Sequence, residues 1–250
     1  MLNNQSQQKV DFKKVISHIM KILPKIPHDL IQISKLANQC GIEKRRLYDL
    51  MNALVACGIC SKPTQHSYLW HGFGASKQTL VSIFKEFFSY SQENLSNAIL
   101  LKNAPTIGTV TSSYLSIFAF FLIQNLSIRN ASIILSGDFH STKSVLRRLY
   151  LVTYILECVG LITKTTFPGD YCLAFNVKSI ALEGLTQMAS ESLFSPETIE
   201  AQMHHFNEAY MKSLIQTRHS LLMQILEEKP SEVNTVMKIK PENIEKDIIA

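Results

Sequence analysis

The residues best suited to chemistry in this chain are cationic and fall in two matched groups. Lys44, Arg45 and Arg46 open the stretch KRRLYDL, and Arg147 and Arg148 open LRRLYLV. A guanidinium is permanently charged and presents a planar fork of donors, which suits O6 and N7 of guanine or a pair of phosphate oxygens. One good bidentate pair discriminates against a wrong base by roughly 1–3 kcal/mol. Asp49 follows Arg45 by four residues and Arg46 by three, the helical spacing at which a carboxylate can hold a guanidinium in one orientation. Tyr48 and Tyr150 follow each pair at the same distance and can offer hydroxyls to phosphate. Lys62, His66 and Lys164 lie beyond the apolar runs, in strand and turn sequence suited to backbone contacts.

Such side chains work only if an element presents them. Leu47, Leu50, Met51, Leu54 and Val55 recur at three- and four-residue steps, so the stretch from about Glu43 to Cys57 is expected to be a helix with that face inward. Arg45, Asp49, Asn52 and Ala56 then point outward, with Arg46 at the edge. Three positive charges in a helix's first turn oppose the macrodipole at about 0.3–1 kcal/mol each. A phosphate or guanine partner offsets that cost, whereas a solvated face does not.

Upstream, Phe12, Val15, Ile16, Ile19 and Leu23 define a first helix that Pro24 and Pro27 end, after a frayed polar start. Asp29 is expected to cap a second helix that runs to about Gln39 and stops at Cys40-Gly41. After Gly58, ICSKPTQHSYLW reads as a strand, a turn with Pro63 and His66, and a second strand ending at Trp70. Three helices and a hairpin is the order of a winged helix.

The order recurs. Helices are expected near Ser113–Asn125, Asn130–Ser136 and Thr142–Val159, followed by strands at Leu161–Lys164 and Tyr171–Phe175 around the Pro168-Gly169 turn. Aligned without gaps, residues 44–62 and 146–164 share seven of nineteen positions. The fold class is therefore mainly α with small β-hairpin wings. Tandem winged-helix domains occupy 9–72 and 113–180, the second divergent, with a partly helical linker at 73–112. A long C-terminal helix follows at 195–228, starting at Ser195-Pro196-Glu197, and then a flexible tail at 229–250. Ile199, Met203, Phe206, Tyr210, Leu214, Leu221 and Ile225 give that helix a heptad-like seam. It can pack on its own chain, or form a coiled coil with a protein partner or a second copy.

Charge supports a polyanion partner. Residues 9–62 carry ten Lys/Arg against four Asp/Glu and residues 113–180 six against three, while residues 181–250 carry six against eleven. Nucleic acid leads and a membrane surface trails; the acidic C-terminal region faces solvent or protein. The polar start MLNNQSQQK lacks the apolar core of a signal peptide, and the apolar run Tyr114–Ile123 is too short to span a bilayer. Five cysteines, an odd number without dense spacing, point to a reducing compartment. Cys57-x-x-Cys60 lacks a second pair at finger spacing, His204-His205 lacks an H-E-x-x-H pattern, and Asp138 and His140 read as caps, so no metal is expected. No phosphate-binding or nucleophile-elbow motif occurs; enzyme activity, a cofactor and a small-molecule substrate are not expected.

RRLYDLMNAL, CGICSK and YLWHG, in that order, resemble the DNA-binding domain of the E2 factor/DP transcription factors, most of all the atypical members that carry two such domains and act without a DP partner. The resemblance covers residues 10–72 well and 113–176 less well. It implies a nuclear cell-cycle regulator, with a repressor easier to support than an activator. Arg45 and Arg46 would read the G·C pairs of a TTTSSCGC-like site, and Arg147 and Arg148 would do so from the second unit. The second motif departs from the family pattern: Leu151 replaces the aspartate, Tyr154 the asparagine and Phe175 the closing tryptophan. A second class of reading keeps the fold but makes the chain an interaction subunit of a larger nuclear complex.

Overall fold

The computed structural model describes residues 12–26, 30–88, 99–101, 105–136, 141–191 and 208–228. The expected cap Asp29, the helix start at Ser195, the turn residues Asp138 and His140, the His204-His205 pair and the 229–250 tail lie outside these residues.

The first unit consists of α1 (Phe12–Ile22), a 3-10 turn (Leu23–Lys25) around Pro24, β1 (Ile31–Gln32), α2 (Ile33–Cys40), α3 (Lys44–Ala56) and the hairpin β2 (Cys60–Thr64) and β3 (Ser67–Trp70). β1 was not anticipated. It pairs antiparallel with β3, Ile31 opposite Tyr68, giving sheet order β1-β3-β2. The second helix consequently starts at Ile33 rather than just after Asp29, because two residues are spent on the sheet edge. Pro63 is tolerated because β2 is an edge strand whose register with β3 shifts between Ser61 and Thr64. Ile16, Ile19, Leu23, Leu47, Leu50, Met51, Leu54 and Tyr68 have no exposed surface and form the core of this unit.

The second half repeats that order with α5 (Ile107–Phe121), β4 (Asn125–Ser127), α6 (Ile128–Ser136), α7 (Thr142–Cys158), β5 (Ile162–Lys164) and β6 (Asp170–Leu173), in sheet order β4-β6-β5. The repetition extends to individual backbone hydrogen bonds. Ile33 N–H donates to the wing carbonyl of His66 at 3.3 Å, and Ile128 N–H to that of Gly169 at 2.9 Å. Both third helices end in a left-handed glycine, Gly58 (φ 72°) and Gly160 (φ 74°). Beyond each glycine a reversed bond closes the cap, Ile59 N–H to Leu54 at 3.0 Å and Leu161 N–H to Leu156 at 2.9 Å. The unit starts at Ile107 rather than Ser113: Thr106 caps α5 by accepting from Thr109 N–H at 3.1 Å. That helix also ends earlier than expected, at Leu122 in left-handed conformation (φ 55°).

Between the units, the helical part of the linker is α4 (Ala75–Phe88), where the amphipathic pattern places it. It packs on α5 and on α8 (Val177–Glu191), a helix the sequence reading did not assign. Gly184 of α8 is the reason for the close approach: a Cβ there would lie 2.6 Å from the Phe84 ring. The last element, α9 (Glu208–Glu228), lies on α5 and α6. Leu214, Leu221 and Ile225 are partly buried against the core, so this helix packs on its own chain.

The two units are joined through their helices. α3 packs on α5 and α1 on α7, so the first helix of each unit meets the third helix of the other. At the first contact a Cβ on Gly108 would lie 3.0 Å from the Asn52 carbonyl oxygen. At the second, Ser17 Oγ and Tyr154 hydroxyl are 3.3 Å apart. Asn52 and Tyr154 are equivalent positions of the repeated motif, so the substitution in the second unit falls on a matching inter-unit contact. The buried apolar residues of both units form one continuous cluster.

Candidate nucleic-acid interface

Lys44, Arg45 and Arg46 occupy the first turn of α3 and are all exposed. Four wholly buried side chains, Leu47, Leu50, Met51 and Leu54, fix the roll of the helix and hence the direction in which that turn points. Glu43 at the N-cap has extended backbone and makes no side-chain capping bond. Three cations therefore share the first turn of the helix, at the positive end of its dipole, an arrangement that favours an anion.

Tyr48 is half-buried and its hydroxyl stands 2.8 Å from His66 Nδ1, tying the helix to the wing. Lys62 Nζ lies over the Tyr68 ring, 5.8 Å from its centre. Tyr68 in turn donates its hydroxyl to Asn52 Oδ1 at 3.3 Å, and burial pushes its pKa up to about 12. Six of the expected residues of the first unit, Arg45, Arg46, Lys44, Tyr48, Lys62 and His66, thus lie on the first turns of α3 or on the wing connected to it. Asn52 departs from expectation: it faces α5, so the outer face of α3 ends about one turn after Asp49.

Asp49 is half-buried. Loss of water raises its carboxyl above the ordinary aspartate range, while Arg46, Arg45 and Arg148 pull it down. The arginine of the second unit in that group could not be read from the sequence, because 99 residues separate Asp49 from Arg148.

In the second unit Arg147 and Tyr150 are exposed on α7. Arg148 is half-buried and Nη1 donates to the Pro105 carbonyl oxygen, just before α5. Lys164 on β5 is bonded to Glu157 at 2.8 Å. An exposed pair of this kind is worth about 0–1 kcal/mol, so a phosphate can exchange for the carboxylate at little cost. Leu151, where the first unit has Asp49, is half-buried and packs against the core. The signal that could have located the inter-unit contact is Gly108 near the start of an apolar helix, a residue of poor helix propensity whose use there is close packing.

Cys57 and Cys60 are buried and unbridged, and burial raises both, Cys60 to about 12. No group of three or more His, Cys, Asp or Glu able to hold a metal occurs among the described residues. No described helix is long and apolar enough to cross a membrane.

A three-helix core with a three-stranded wing and a cationic third helix defines a winged-helix DNA-binding protein. Residues 12–72 match the winged-helix DNA-binding domain of the E2 factor/DP family, the same family that RRLYD and its neighbours resemble. Over 265 aligned positions the chain is 25% identical to the E2 factor-like transcription factor E2FF of Arabidopsis thaliana, covering 91% of this chain and 73% of that protein. It is 24% identical over 181 positions to the E2 factor-like transcription factor E2FE of the same plant, covering 55% of this chain and 45% of that protein. A 55-residue segment is 33% identical to Transcription factor E2F7 of Danio rerio, covering 22% of this chain and 8% of that protein. These relatives are transcription factors by name, and the matched domain is a DNA-binding one.

Proposed function

We propose that the chain is a sequence-specific binder of double-stranded DNA that regulates transcription in the nucleus, reading a GC-core site with the third helices of both units and needing no DP partner. The observation that carries this reading is the exposed Lys44-Arg45-Arg46 turn of α3 inside a winged-helix domain of the E2 factor/DP family. The equivalent turn of α7, with Arg147 exposed, supports a second reading head in the same chain. Because α1 meets α7 and α3 meets α5, the two heads are held in one body, which favours recognition of adjoining half-sites. Within the family pattern, the side chains assigned to bases are Arg45, Arg46, Arg147 and Arg148. Those assigned to phosphate are Lys44, Tyr48, Lys62, His66, Tyr150 and Lys164, with Asp49 orienting the arginines. Cell-cycle repression is the regulatory sense proposed.

The test is selection of bound duplexes from a random pool, by the wild type and by Arg45→Ala/Arg46→Ala. Loss of one or two bidentate pairs predicts a fall in discrimination of roughly tenfold or more, with the fold intact. Equal weakening on every duplex, accompanied by a shallower salt slope, would mean phosphate contact alone. The second reading, an interaction subunit with weak DNA affinity, draws on Leu151 and on Arg148 being bonded to backbone. It is favoured if the purified chain shows no salt-dependent affinity for any duplex.

A further inference from the structure

We propose that Tyr48 is a positioning residue for His66: its hydroxyl donates to Nδ1 and so holds the neutral imidazole as an outward Nε2–H donor to a DNA phosphate, in the first unit only. The inference rests on the DNA-binding function proposed above. For Tyr48 it replaces direct phosphate contact with contact through His66.

The pair is fixed from both sides. The Tyr48 ring is half-buried against the core on the second turn of α3, and its hydroxyl stands 2.8 Å from His66 Nδ1, with the ring centres 6.5 Å apart and the planes at 59°. The wing turn that carries His66 is itself braced. The His66 carbonyl accepts from Ile33 N–H at 3.3 Å, and the hydroxyls of Thr64 and Ser67, on either side, are hydrogen-bonded to each other. His66 is exposed, and with Nδ1 turned to Tyr48 the nitrogen left for a ligand is Nε2. A phenol is a stronger acid than a neutral imidazole N–H, and an imidazole nitrogen is a stronger base than a phenol oxygen. The bond therefore runs from the hydroxyl to Nδ1, and the ring proton sits on Nε2. A histidine held in one orientation and one tautomer before binding has less freedom to lose when it meets a phosphate.

The second unit cannot repeat this arrangement. Ile128 N–H bonds to Gly169 where Ile33 N–H bonds to His66, so a glycine occupies the place of the histidine. The turn at 165–169, TTFPG, contains no ring nitrogen donor. Tyr150, the counterpart of Tyr48, is 58% exposed. The oriented wing contact therefore falls on one head of the two.

The experiment has two arms on the full chain at pH 8, with each variant's fold verified by circular dichroism. In the first, long-range proton–nitrogen NMR spectra of the imidazole rings should place the His66 proton on Nε2 in the wild type, and Tyr48→Phe should mix the two tautomers. In the second, affinity is measured on a GC-core duplex of the TTTSSCGC type and on its scrambled counterpart. His66→Ala is expected to weaken binding to both by roughly tenfold, leaving base preference in place. The salt slope should not change, because a neutral donor displaces no counterion, whereas Lys62→Ala should make it shallower by about one. Tyr48→Phe should lose part of the same affinity, and adding it to His66→Ala should cost nothing further. A wild-type proton on Nδ1, additive losses in the double variant, or unchanged affinity in His66→Ala overturns the inference while leaving the DNA reading intact. A wild type that binds neither duplex overturns both.

Discussion

Arg218 is the residue whose removal the fold should tolerate least. It lies on α9 with 4% of its surface exposed, and its guanidinium donates to the backbone carbonyls of Phe120 at 2.9 Å, Phe87 at 3.0 Å and Phe88 at 3.2 Å. Those carbonyls belong to the last turns of α4 and α5, where a helix leaves four acceptors without intrahelical partners and its dipole is negative. One side chain therefore caps two helices and also stacks on the Phe120 ring, 4.4 Å from its centre. Arg218→Ala strands up to three acceptors in the interior. At about 1–3 kcal/mol for each unsatisfied group, and with partial relaxation, the loss should be roughly 3–5 kcal/mol. For a chain of this size that is a fall in melting temperature of roughly 6–20 °C. Arg218→Lys keeps the charge but cannot span three carbonyls, so it should fall between the two. Thermal and urea unfolding followed by circular dichroism would measure both. A loss below about 1 kcal/mol for the alanine, or a lysine variant equal to wild type, would refute the assignment of Arg218 as a shared cap.

Other expectations can be checked on the same preparations. Gly108→Val should force α3 and α5 apart at the Asn52 carbonyl and cost about 1–3 kcal/mol, read as a lower unfolding midpoint, although a surface glycine in a helix usually gains from substitution. Asp49→Asn should raise the melting temperature of the free protein at neutral pH. A carboxyl whose pKa is raised on folding favours the folded state below its unfolded pKa, and this contribution is lost as pH rises through the folded value. The gain should shrink below about pH 4, where the wild-type group is protonated in both states. Brief alkylation near pH 8 with peptide mass spectrometry should modify Cys158 and Cys172 well before Cys57 and Cys60, whose buried thiols ionise too reluctantly to react.

The sequence by itself determined the parts that depend on local physics. The inward face of α3 was legible because Leu47, Leu50, Met51 and Leu54 recur at helical spacing, and exposure of Lys44, Arg45 and Arg46 follows from the same period. The repeat was legible because the third helix and its glycine stop are written twice, and both glycines adopt the left-handed conformation that favours the residue. What escaped were elements whose formation depends on distant partners. β1 and β4 are two and three residues long and exist only because β3 and β6 offer them an edge, so no periodicity announces them. α8 carries little pattern around Gly184, whose place is set by the Phe84 ring. Most consequentially, only the tertiary structure put Arg148 within electrostatic reach of Asp49 and Arg218 beneath two helix ends. Those pairings join residues 98 or more positions apart, and a carboxylate or a carbonyl acts on whatever charge the packing brings near, whatever the separation along the chain.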